Sequence, residues 1–148
     1  MTAELKVIPI HRRKKKYDIS GSYDGVDVAS RRFKDLYERS GMTGLQFKEL
    51  GDDAFAIRAT NVVAFDAVRR GTKFEKKCDA CGIYESVTGA TPVYLLPGEV
   101  VPDMGFARTD LEFASGDEKH PLLLCGEGVA KILWAAKLKG IVLQKVKT

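Results

Sequence analysis

The chain's 148 residues, 45% apolar and 30% charged, have the size and composition of one globular domain, which excludes a disordered or fibrous polymer. No stretch approaches the ~18 apolar residues of a membrane helix, and residues 1–10 lack the apolar run and small-residue cleavage site of a secretory leader, so neither a membrane span nor an export signal is expected. The net charge of +4 is local: Arg12, Arg13, Lys14, Lys15 and Lys16 stand in a row, and without them 19 basic residues face 20 acidic ones.

In chain order, residues 5–10 alternate loosely and read as a strand, with Pro9 confining it to a sheet edge. Residues 1–25 as a whole read as a basic N-terminal arm, turn-rich from Ser20 onward. An amphipathic helix follows: Val26, Ala29, Phe33, Leu36 and Tyr37 fall on one stripe, with Arg31, Arg32, Lys34, Asp35 and Glu38 directed away from it. Asp27 is placed to cap its start, and Gly41 stands where a left-handed glycine ends a helix. Residues 45–50 then alternate as a half-buried strand.

The end of the chain repeats that arrangement. Val129, Ile132, Leu133 and Ala136 form a second helical stripe, followed by a strand over 141–146. A shift of 96 positions pairs Phe33 with Val129, Tyr37 with Leu133, Gly44 with Gly140 and Phe47 with Leu143 without a gap. A glycine in the same place in both copies predicts the same helix-to-strand turn, with φ > 0.

The middle is predicted β: short segments at 54–58, 61–65, 91–96 and 122–125, and a hairpin whose strands 73–77 and 83–87 flank Cys78-Asp79-Ala80-Cys81-Gly82. No linker divides the chain, so residues 1–148 are read as one domain. The expected fold is α+β, a mixed or antiparallel sheet in which two helix-turn-strand units flank a hairpin carrying a Cys-x-x-Cys knuckle.

Cys78 and Cys81 have the spacing of half a tetrahedral zinc site. The other half is missing, since only Cys125, His11 and His120 remain, none in a paired spacing. Three readings stand: a zinc knuckle completed by other ligands or by a second copy of the chain, a redox pair outside any thioredoxin context, or a hairpin tip with free thiols. Three cysteines with one close pair fit a reducing compartment, so the expected location is the cytoplasm. Cys125 ends the apolar run 122–124 and reads as a buried small hydrophobe. A nucleophile pair with His120 is disfavoured, because residues five apart on an extended segment point to opposite faces. Gly126-Glu127-Gly128 reads as a cap for the last helix rather than a phosphate cradle, lacking the residues of a P-loop.

Arg108, Asp110 and Glu112 alternate with Thr109, Leu111 and Phe113 and so share one face of a strand; Asp117 and Glu118 extend the acidic stretch. This row reads either as an exposed ion-pair ladder or as a partner-binding face. The residues assemble no catalytic constellation, so a non-catalytic protein is expected. The block Arg12, Arg13, Lys14, Lys15 and Lys16 leaves an alternative open, a zinc-ribbon-like module associated with nucleic acid, whose binding would fall steeply with salt.

The Cys78–Gly82 motif, with residues 42–47, 105–113, 121–125 and 138–141, resembles the bacterial double-CxxCG motif proteins, a group linked to immunity against polymorphic toxins. The resemblance implies a protein that binds and neutralises a cognate toxin, with Arg108, Asp110, Glu112, Asp117 and Glu118 as contact candidates and zinc as the metal for Cys78 and Cys81. Members of that group carry two Cys-x-x-Cys-Gly motifs, whereas this chain carries one. A homodimer in which two knuckles share one zinc would restore four thiolates.

Overall fold

The computed structural model describes residues 3–7 as backbone, and residues 17–21 and 26–147 in full. Strand β1 (Ala3–Val7) precedes β2 (Ile19–Gly21) and β3 (Asp27–Ser30), which runs without a break into helix α1 (Arg31–Arg39). Strands β4 (Leu45–Gly51), β5 (Ala54–Ala59) and β6 (Val62–Val63) follow, then a single helical turn α2 (Ala67–Arg70) and the hairpin β7 (Lys73–Lys77) and β8 (Tyr84–Thr88). The chain closes with β9 (Phe106–Ser115), β10 (His120–Cys125), helix α3 (Glu127–Ala136) and β11 (Ile141–Lys145). The α+β class and the two helix-turn-strand units are those the sequence predicts.

Among the described residues two sheets result, a four-stranded one ordered β2-β3-β5-β4 and a seven-stranded one ordered β11-β1-β10-β9-β8-β7, with β6 parallel to β9. In the first, β3 and β4 are both antiparallel to β5 and hence parallel to each other, joined by α1. In the second, β10 and β11 both run antiparallel to β1, joined by α3. Each unit is thus a split strand-helix-strand, and the shift of 96 holds in register. Ala29 faces Phe55 and Phe47 faces Ile57; Cys125 faces Ala3 and Leu143 faces Leu5, the same two-residue step along the central strand. Only the source of that strand differs. β5 comes after its unit, whereas β1 arrives from the far end of the chain.

The units clasp each other through their turns. Phe106 N–H donates to Thr43 O at 3.0 Å, and its counterpart Ile19 N–H donates to Lys139 O at 3.5 Å. Gly44 (φ +95°) and Gly140 (φ +83°) make this approach possible: a Cβ on either would lie 2.6 Å from Phe106 O or 2.5 Å from Ile19 O. Both strands enter their helices alike, with Ser30 N–H bonded to Asp18 O and Gly126 N–H bonded to Gly105 O. Residues of both units form one core cluster, in which Ile19, Phe33, Phe106, Cys125 and Val129 are wholly buried. Burying each of the larger of these contributes ~1.5–3 kcal/mol. A second cluster lies on the other face of the large sheet, where Phe65 and Phe113 meet edge to face at 4.9 Å.

Several local expectations change. The first strand ends at Val7 and is central, paired on both sides by β10 and β11, because the second unit needs a middle strand; Pro9 lies outside the described residues. Ala29 belongs to β3, and the cap of α1 is Ser30, whose Oγ accepts Phe33 N–H at 3.1 Å. Asp27 sits in β3, opposite Ile57. Residues 91–96 bury Val93 and Leu95, but among the described residues their only ladder contacts are isolated bridges at Tyr94 and Leu95.

Candidate functional site

Residues 78–82 form a tight turn at the tip of the β7–β8 hairpin: Gly82 N–H donates to Cys78 O and Cys78 N–H donates to Ile83 O, both at 2.8 Å. Gly82 takes φ +72°, which glycine adopts without strain. Both thiols are exposed. A hydrogen bond from the Cys81 side chain, joined by the backbone N–H groups of Cys81 and Ala80, holds the Cys78 thiol below its ordinary pKa. Amides aimed at a thiolate suit a metal-binding turn, so the donor set fits two of the four positions of a structural zinc. Among the described residues no third His, Cys, Asp or Glu is grouped with them.

Cys125 is the opposite case. It lies fully inside the first core cluster, and burial pushes its thiol up to about 12. A thiol held protonated at neutral pH is no nucleophile. His120 is exposed at the start of β10, its Nδ1 2.8 Å from Glu118 O.

The row on β9 divides. Asp110 serves the backbone, accepting Phe65 N–H at 2.9 Å. Asp117 and Glu118 lie exposed in the 3-10 turn Gly116–Glu118. Arg108 and Glu112 line a cleft of about 800 Å³ between β9–β10 and the strands β3, β4 and β5. Strand alternation sets both on one face, and a bulge interrupts the ladder between them: Arg108 faces Leu123 and Glu112 faces Pro121, so three β9 residues lie opposite Leu122 alone. Thr109, wholly buried, secures the bulge. Its hydroxyl donates to Leu111 O at 2.7 Å and accepts Leu122 N–H at 2.9 Å.

The floor of the cleft is the margin of the first core cluster, with Ile57, Ala59 and Leu123 beside Phe47. Its walls carry Lys48, Arg58, Arg108 and Lys119 against Asp27 and Glu112. Lys119 is anchored, its Nζ donating to Tyr84 O at 2.7 Å. Burial raises the Asp27 carboxyl to about 6, and the attraction of His120 opposes part of that rise. Arg108 is the more unusual group. Its Nε–H is buried without a hydrogen-bond partner, a condition that costs about 1–3 kcal/mol, and among the described residues no carboxylate pairs with it. Perturbed and unsatisfied polar groups converging over an apolar floor make this cleft the candidate binding site.

Of the residues singled out by sequence, the cleft collects Arg108 and Glu112 and leaves Asp110, Asp117, Glu118, Cys78 and Cys81 outside its lining. Arg12, Arg13, Lys14, Lys15 and Lys16 lie outside the described residues. Asp27, Lys48, Arg58 and Lys119 are not in the predicted set. For Asp27 a signal existed, since a run Val26-Asp27-Val28 reads as β-branched alternation, the mark of a strand. No helix among the described residues is long and apolar enough to cross a membrane. No protein-family model matches the chain, and no curated protein matches it.

Proposed function

We propose that this chain is a non-catalytic, cytoplasmic binding protein that masks a cognate bacterial toxin. The observation that carries the binding reading is the inter-sheet cleft, whose apolar floor and charged walls have the composition of a protein interface, an apolar centre inside a polar rim. The toxin as partner comes from the resemblance around Cys78–Gly82 and residues 105–113. The exposed Trp134 on α3, 79% accessible, adds an amphipathic aromatic of the kind that anchors protein contacts.

The test is genetic and biochemical together. The tagged chain is captured gently from its own host, and the stoichiometric partner is identified by native mass spectrometry. That partner should arrest growth when expressed alone, and co-expression of this chain should restore it. A captured partner that is harmless alone, or toxicity unrelieved by co-expression, overturns the proposal.

A further inference from the structure

We propose that the inter-sheet cleft is the docking site for an acidic segment of the protein partner, with a carboxylate seated on Arg108. This inference rests on the protein-binding reading for its occupant, and on the cleft's own chemistry for everything else. Arg108 Nε–H is buried and unsatisfied in a concave site, so the chain alone leaves a charged donor without an acceptor. A guanidinium offers Nε–H and an adjacent Nη–H as a planar fork; Nε is closed to solvent in the free chain, so a carboxylate fills both positions once the partly exposed Arg108 side chain turns into the cleft. The neighbouring charge favours an anion: Lys48, Arg58 and Lys119 stand with Arg108 against Glu112 and Asp27. Asp27, raised by burial to about 6, carries its full opposing charge only above that pH, so the anion preference should be strongest below it.

Size selects a segment over a free ion. The cavity of about 800 Å³ is many times the ~30 Å³ share of one water molecule, so a lone phosphate would leave most of it open. The floor selects a peptide with apolar neighbours, since Phe47, Ile57, Leu122 and Leu123 present aliphatic and aromatic surface beside the cations. The preferred occupant is therefore a carboxylate side chain flanked by apolar residues, entering with its acid toward Arg108.

The test uses the full chain labelled with nitrogen-15 and reads the arginine Nε–Hε resonances by NMR. The probe is the blocked peptide acetyl-Leu-Glu-Leu amide, with acetyl-Leu-Gln-Leu amide and inorganic phosphate as comparisons. The glutamate peptide should move the Arg108 Nε–Hε signal saturably, and the glutamine peptide should bind about tenfold more weakly, equivalent to ~1.4 kcal/mol. Arg108→Lys should abolish the difference between the two peptides. Lys48→Glu, at an exposed position on the wall, should weaken the glutamate peptide with the spectrum otherwise intact. A stationary Arg108 signal, equal responses to the two peptides, or tight saturable binding of phosphate would each overturn the assignment. Because the experiment involves no toxin, peptide failure with growth protection retained sinks the cleft alone; the reverse pattern sinks the toxin reading alone.

Discussion

Replacing Asp27 by Asn tests whether the cleft holds a carboxyl in an environment that rejects its charge. Burial raises that carboxyl from 3.8 to about 6 in the folded chain. About two pH units between the unfolded and folded values corresponds to ~3 kcal/mol, at 1.36 kcal/mol per unit. The sign follows from proton counting. Between pH 4 and 6 the folded state keeps a proton that the unfolded state has released, so stability falls as pH rises through this window and levels off above it. Asp27→Asn cannot ionise and should lack this loss. Urea denaturation of both proteins from pH 4 to 7.5 should therefore show the wild type falling relative to the variant by up to ~3 kcal/mol, most of it before pH 6.5. The groups lining the same space are Lys48, Arg58, Arg108, Glu112 and Lys119, with His120 attracting the ionised form; all are common to both proteins and cancel in the difference. Parallel stability curves would refute the account of a desolvated carboxyl.

Other consequences follow from the same contacts. Gly44→Ala and Gly140→Ala should each lower stability by about 3 kcal/mol, combining a left-handed backbone with a Cβ pressed on a carbonyl oxygen, whereas Gly41→Ala, with φ +72° and open space, should cost only about 1 kcal/mol; equal losses in denaturant titrations would contradict the clasped turns. Iodoacetamide at neutral pH, read by mass spectrometry, should label Cys78 and Cys81 in the native chain and reach Cys125 only after unfolding, and early modification of Cys125 would show that the core is open. Asp18, 6% exposed, accepts both Ser30 Oγ–H and Lys139 N–H at 2.8 Å, so Asp18→Ala should destabilise by about 2–3 kcal/mol; an unchanged thermal midpoint would show that this bridge between the units is idle.

The repeated unit was legible without coordinates because its signal is local and periodic. Phe33, Leu36 and Val129, Leu133 recur at helical spacing, and Gly44 and Gly140 mark a backbone that only glycine adopts without strain. The hairpin around Cys78 and Cys81 was legible for the same reason, its turn residues lying between two short runs. Asp27 was misplaced because an acidic residue ahead of a helical stripe has the local form of a cap, and Ser30, three positions later, has it too. Only the pairing of Asp27 with Ile57 decides between them.

The amino-acid sequence by itself determined the α+β class, the two helix-turn-strand units, their glycine turns and the alternation that sets Arg108 and Glu112 on one face of β9. Tertiary structure decided the rest. It placed β1 in the middle of the second unit, divided the acidic row between backbone support, an exposed turn and the cleft, and left Arg108 Nε–H buried without an acceptor. The physical reason is range. Turns and amphipathic stripes are set by neighbours a few residues apart, whereas a central strand from the far end of the chain, or a guanidinium nitrogen buried beside an inter-sheet cleft, depends on contacts between segments tens of residues apart, which no local pattern records.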